Sequence, residues 1–464
     1  MRINKNTARE VLDTCLATGG DYAEIYYQDS RTHSYTRRYR KVQNISSART
    51  CGVGIRILKG VKLVYGYTSD LSKNSLLKLA KELSQGFDGD RIMSAPELKK
   101  KSIKNLNKIK IPHSAWETEK KIAYLEEGEK ACFEVSDQIQ DVKTGLFEED
   151  EHVEIYNTEG YMYQDDRVRT RITILAIATD GKQFQVSFKG PGLSKGLELL
   201  EETDLVSIAK ETAHEAVEML TAPEGPSGEM PIVLGNCFGG VLFHEACGHP
   251  LEGSAISKNT SPFAGKVGEK IASDVVSAYD DGTIPNGWGT ESVDDEGHLP
   301  TKNTLIKDGV LTSYMVDRFT ARRIEDSVST GSCRRESYRY IPTTRMTNTY
   351  IGNGTSKPED IIASVKDGIY CKAFSGGQVD PSTDEFIFTS DVAYLIKDGK
   401  IDHMIKPVSL VGYGYEILKR ITMVGNDLGR APGVCGAESG SCYVEVGQPT
   451  LLISSMLVGG KGGN

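Results

Sequence analysis

Apolar positions along the first two hundred residues switch repeatedly between helical and strand spacing. Residues 5–18 carry them at helical intervals and predict an amphipathic helix. Residues 22–67 predict several strands, with Tyr22, Ile25, Tyr26 and Tyr27 early and Val53, Ile55 and Ile57 later. Residues 71–87 return to helical spacing behind an Asp70 or Ser72 cap. Residues 90–112 are lysine-rich with weak signals and read as a connector. The pattern then recurs, with a helix over 116–136, three or four strands within 138–190 and a helix over 199–220, so 1–90 and 112–220 are candidate diverged repeats. The run Phe147-Glu148-Glu149-Asp150-Glu151-His152 predicts a solvated hairpin turn. The basic run Arg37-Arg38-Tyr39-Arg40-Lys41 predicts one face of an exposed strand.

Two prolines and two glycines in Thr221-Ala222-Pro223-Glu224-Gly225-Pro226-Ser227-Gly228 mark a linker. Beyond it the chain is strand- and glycine-rich, with helical stretches at 237–247 and about 358–367. The expected fold class is α+β. An N-terminal domain of helices and antiparallel strands (1–220) is followed by a linker (221–229) and a strand-rich C-terminal catalytic domain (230–464), whose end at 458–464 predicts a mobile tail.

Composition narrows the function classes. At 464 residues with 38% hydrophobic and 26% charged residues, the chain suits a soluble protein of two or more domains. Its net charge of −9 disfavours a nucleic-acid surface. Nine scattered cysteines without a CxxC pair predict reduced thiols and a cytoplasmic setting. No apolar leader opens the sequence and no long apolar run predicts a membrane span.

The chemistry concentrates in His244-Glu245-Ala246-Cys247-Gly248-His249. Two imidazoles flanking an acid are the residue set of a zinc hydrolase, two neutral ligands with a general base beside them. The usual spacing of four places both histidines on one helix face. A step of five turns through roughly 500° of ideal helix and leaves the rings about 140° apart. A π-type turn would reunite them, and regular helix is expected to fail at Gly248 and Pro250. A third ligand is required. Cys247, Glu252, Asp274 and Glu291 lie nearby, and Cys435 lies 186 residues (435 − 249) beyond His249. Spacing leaves that choice open. His214-Glu215 lacks a second histidine and reads as part of an ordinary helix, and His298 as a loop residue.

The segment Phe243-His244-Glu245-Ala246-Cys247-Gly248-His249-Pro250-Leu251-Glu252-Gly253 resembles the signature of the TldD/PmbA family, modulators of DNA gyrase by an old name and metallopeptidases by chemistry. Further matches are Asp294-Asp295-Glu296-Gly297 with Asn303-Thr304-Leu305-Ile306, Arg334-Arg335-Glu336-Ser337-Tyr338-Arg339 running to Arg345-Met346-Thr347-Asn348-Thr349-Tyr350, Gly376-Gly377-Gln378-Val379-Asp380, and Val446-Gly447-Gln448-Pro449-Thr450-Leu451. The likeness is specific over 230–460 and weaker over 1–220. It implies a Zn2+ held by His244, His249 and Cys435, with Glu245 as base, acting on unfolded or extended peptides. It also implies a TldD-type subunit that assembles with a TldE/PmbA-type paralogue or with itself. Cys247 departs from the family pattern and reads as a small packed side chain. A rival reading is a non-catalytic peptide-binding protein with a structural zinc, for which Cys247 would be the fourth ligand. The Arg334–Arg339 block is expected either to orient substrate or to tie the protein together.

Overall fold

The computed structural model describes residues 2–380 and 385–459. The first helix, Lys5–Cys15, buries Ala8, Val11, Leu12 and Cys15 along one stripe, and Asn4 caps it by accepting from the Asn6 amide. Helix Lys73–Ser84 is capped by Ser72, which accepts from the Ser75 amide. Four long strands, Tyr22–Arg38, Lys41–Lys59, Ile139–Asn157 and Tyr161–Thr179, build most of one eight-stranded sheet. Both candidate repeats feed this sheet, because Tyr22–Arg38 pairs antiparallel with Ile139–Asn157 from Glu24 opposite Asn157 to Arg38 opposite Lys143.

Alternation along these strands serves two different neighbours. Ala23, Ile25, Tyr27, Val53, Ile55 and Ile57 pack against the two helices. The opposite face, with Tyr26, Val153, Ile155 and Tyr163, meets Val293 and Tyr338 of the C-terminal half. That second face also carries charge. Arg56, fully buried, reaches Glu24 at 2.7 Å and Glu296 at 2.8 Å. Arg335 reaches Glu24 at 2.9 Å, and Arg167 reaches Asp295 at 2.9 Å and Glu291 at 3.2 Å. Arg335 and Tyr338 of the Arg334–Arg339 block therefore tie the two halves together, as do Asp295 and Glu296.

The same face overturns the expectation of a solvated turn at Phe147–His152. That run lies inside the strand Ile139–Asn157. Glu148, Glu149 and Glu151 are buried, taken up by Lys121 at 2.8 Å, Arg169 at 3.4 Å and Arg167 at 3.5 Å. Cross-strand register explains it, since Glu149 lies opposite Arg169 and Glu151 opposite Arg167. The basic run also differs from its expectation. Tyr39 and Arg40 form a tight turn with φ of 55° and 59°, while Arg37 and Arg38 are held by Glu129 and Asp141 rather than lining an open strand face.

The C-terminal half adds a seven-stranded and a six-stranded sheet, and the architecture is α+β. Between the sheets runs the segment 237–256, whose Val241, Leu242, Phe243, Ala246, Cys247 and Leu251 join the largest core cluster. The expected helix over 237–247 is instead a succession of 3-10, α and π turns, and the helix near 358–367 covers only Pro358–Ala363. Residues 460–464, most of the expected tail, lie outside the described residues, as do the side chains of Gln378 and Asp380. No described helix is long and apolar enough to cross a membrane.

Candidate metal centre

The two histidines are brought to one side by a local change of helical pitch. After the short α turn Val241–Phe243, residues His244–Gly248 form a π turn in which the His249 amide donates to the His244 carbonyl. Gly248 permits the close packing beneath it, because a Cβ there would sit 2.2 Å from Met346 Sδ. Pro250, without an amide proton, opens the 3-10 turn that ends the segment. The ring centroids of His244 and His249 end 5.0 Å apart with planes at 82°.

The third donor arrives on a hairpin. Strand Gly429–Ala437 pairs antiparallel with Gly440–Gln448, and Cys435 lies opposite Cys442. Cys435 Sγ approaches His249 Nε2 to 3.1 Å. Donor atoms of His244, His249 and Cys435 all lie within 4.8 Å of one another. Arg345 fixes the hairpin from behind. Its guanidinium donates to the Cys435 carbonyl, to Ser439 Oγ at 3.0 Å and to the Gly440 carbonyl at 2.7 Å. Arg345 Nε also stands 4.0 Å from Glu252 Oε1, and Glu252 Oε2 lies 3.3 Å from His249 Nδ1. One arginine thus connects the hairpin to the carboxylate that orients His249.

The donor chemistry fits a divalent metal such as zinc, which takes imidazole nitrogen and thiolate sulfur. His244 Nδ1 is buried with no hydrogen-bond partner among the described residues. Burial holds the His244 imidazole in its neutral form, pushing its pKa well below the ordinary value with help from His249 and Arg345. His249 goes the other way. Burial opposes its charge, but Glu252 and Cys435 outweigh it and raise the ring well above the usual range. Surroundings that draw a proton to that ring also draw a cation. Glu245 Oε2 lies 3.8 Å from His249 Nε2, and burial raises its carboxyl above the ordinary range, reinforced by Glu252 and opposed by His249. Glu245 and His249 open onto a cleft of about 520 Å³ that also exposes Ser254, Lys258 and the hairpin tip at Gly436–Glu438.

The remaining candidates are elsewhere. Cys247 is fully buried with its thiol 3.9 Å from the Gly414 carbonyl, packed as a small side chain. Asp274 pairs with Lys270 at the surface, and Glu291 belongs to the arginine network. Glu252 stands behind His249. His214 is exposed on helix Leu205–Thr221, and His298 Nδ1 lies 2.8 Å from the Leu299 carbonyl. The reading of spacing missed Arg345. Its one signal was its place in the run Arg345-Met346-Thr347-Asn348.

Three stretches match domains of the PmbA/TldA metallopeptidases: domain 1 over residues 23–85, the central domain over 111–220 and the C-terminal domain over 227–460. A Haemophilus influenzae protein named metalloprotease TldD homolog is 36% identical over 468 residues, spanning 99% of this chain and 97% of its own. A zinc metalloprotease TldD homolog of Saccharolobus solfataricus is 24% identical over 313 residues, 67% of this chain and 69% of its own. Among solved structures, TldE from Thermococcus kodakarensis matches with a TM-score of 0.77 at 21% identity, covering 98% of this chain and 99% of its own. At that identity the structural likeness bears on the fold.

Proposed function

The chain belongs to the PmbA/TldA metallopeptidase family, and from that premise we propose that it is a zinc-dependent peptidase acting on unfolded or extended peptides. His244, His249 and Cys435 hold the metal, and Glu245 is the general base. The observation that carries this reading is the convergence of three donors within 4.8 Å from a π turn and a hairpin 186 residues (435 − 249) apart. A relative named for zinc supports the choice of metal.

When bound, Zn2+ supplies the Lewis acidity that polarises a scissile carbonyl and acidifies water. The chain's own groups do the rest. Glu252 and Arg345 fix the ring of His249 and the hairpin, so that the donors need little rearrangement. Glu245 takes the proton of the attacking water and passes it to the leaving amine, a task suited to a carboxylate raised toward neutrality by burial. The cleft of about 520 Å³ beside Glu245 is where an extended segment lies. We further propose assembly with a TldE/PmbA-type paralogue, or with a second copy of this chain. The setting we propose is cytoplasmic.

Zinc content and cleavage of an unfolded peptide mixture, measured on wild type and Glu245→Gln side by side, test this. One zinc in each with cleavage only by wild type is the expected result, the loss being roughly 10²- to 10⁴-fold. Equal cleavage by both removes Glu245 from the chemistry. Zinc in both with cleavage by neither, a TldE/PmbA-type partner included, favours the structural-zinc reading.

A further inference from the structure

Successive side chains of a strand point to opposite faces, so the 429–448 hairpin separates two cavities. Cys435 faces the donor cluster. Val434, Ser441 and Tyr443 face the other way, into a cavity of about 600 Å³ bounded by the first sheet. Four charged side chains line it: Glu149, Glu336, Arg171 and Arg339. The two carboxylates are engaged. Glu149 accepts from Ser30 Oγ at 2.9 Å and from Arg169 at 3.4 Å, and Glu336 accepts from the Ser441 amide at 2.8 Å. The two guanidiniums each meet only a neutral oxygen. Arg171 Nε donates to the Gly190 carbonyl at 3.2 Å and Arg339 Nε to Tyr338 OH at 3.3 Å. Neither has a carboxylate partner among the described residues.

Two guanidiniums without a carboxylate partner thus face one cavity, beside Glu149, which meets Arg169, and Glu336, which meets the Ser441 amide, and they can accept an arriving anion. Burial disfavours the charge on Arg171, a penalty that an arriving anion relieves. The volume far exceeds the need of an inorganic ion and falls within the roughly 300–1,000 Å³ of organic-ligand pockets. Guanidinium matches carboxylate in planar, two-point geometry. Half-buried Tyr443, backed edge to face by the buried Trp288 with centroids 5.2 Å apart, gives the wall an apolar surface. We propose that this cavity is an exosite for a carboxylate-bearing peptide segment, held by Arg171 and Arg339 with neighbouring residues against Tyr443. The proposal rests on the peptide reading above but not on the metal, which belongs to the opposite face of the hairpin.

Trp288 supplies the readout, because the chain has only one other tryptophan, Trp116. Trp116→Phe in a Glu245→Gln background leaves Trp288 as the sole indole and prevents turnover. Three acetylated peptides are titrated against its emission: one with an internal Glu and an amidated end, one without acids but with a free C-terminal carboxylate, and one with neither. Saturable change with the first or second but not the third is expected, and identifies the carboxylate's source. Arg171→Gln weakens binding roughly tenfold or more. The exposed Arg339→Gln, which does not disturb the fold, weakens it by about threefold. Equal response to the neutral peptide, unchanged binding in both variants, or tighter binding of inorganic phosphate than of either acidic peptide overturns the proposal. Binding that persists in a wild type unable to cleave leaves the exosite standing and removes the peptidase reading instead.

Discussion

Two buried clusters of ionisable groups lie within this chain, and they are organised on opposite principles. In the interface between the first sheet and the C-terminal half, buried guanidiniums meet carboxylates. Arg56 joins Glu24 and Glu296, and Glu291 receives Arg167, Arg169 and Arg334. Burial would raise the Glu291 carboxyl, but the three guanidiniums outweigh it and hold it at about 2. Around the π turn, groups of the same kind converge instead. The ligand atoms of two imidazoles and a thiol lie within 4.8 Å of one another, and His244 Nδ1 has no partner among the described residues. A cluster that is complete internally holds the protein together. A cluster of converging nitrogen and sulfur donors is suited to a metal.

The contrast predicts different failures. The largest effect belongs to the donors. His249→Ala or Cys435→Ala should abolish zinc binding at concentrations that saturate wild type, while the unfolding free energy of the metal-free protein in urea changes by less than about 1 kcal/mol; a collapse of the metal-free protein would place these residues with the structural cluster. Next comes the network. Arg56→Met leaves Glu24 and Glu296 buried without their shared cation and should cost about 3–5 kcal/mol in urea unfolding, with zinc affinity unchanged once the protein is folded. Smaller is the loss of an orienting group. Glu252→Gln should weaken zinc binding by about 10- to 100-fold against a competing chelator, and an unaltered affinity would deny Glu252 its orienting role.

The smallest effect concerns pH. Asp166, at 2.6 Å, and Glu154, at 3.2 Å, raise the His152 imidazole to about 9. A ring raised on folding contributes stability that is fully present below its unfolded pKa of about 6.5 and is lost as pH climbs through about 9. His152→Gln should therefore flatten the fall in stability between those values. Because the ring is partly solvated, the gain removed is a few tenths to about 1 kcal/mol. An unchanged slope in urea midpoints across that window would show that the pair has no net worth.

Much of the fold was legible where periodicity is local. Helix Lys5–Cys15 declared itself by an apolar stripe, helix Lys73–Ser84 by Ser72, and the strands by alternating apolar and aromatic residues. The error at Phe147–His152 has a specific cause. Acid-rich segments usually face water, but here each buried glutamate meets a cation. The signal was present in the complementary run Asp165-Asp166-Arg167-Val168-Arg169, whose arginines lie across from Glu151 and Glu149. In the donor cluster, the spacing of His244 and His249 exposed the problem that the π turn solves. Spacing could not choose the third donor, since no local pattern links residue 249 to residue 435. The link is made by a side chain between them in sequence, Arg345, which touches both the hairpin and the carboxylate behind His249.

The hairpin also sets a schedule. During synthesis, His244 and His249 emerge long before Cys435, and the strand that carries Cys435 completes its pairing only when residues 440–448 have followed. Until then the two imidazoles have no thiol to meet, and Arg345 has no hairpin to grip. On the proposed reading, a nascent chain therefore lacks its third metal donor through most of its own translation. Under the proposed function, a peptidase for unfolded chains would in this way be kept from attacking the nearest unfolded chain, which is itself.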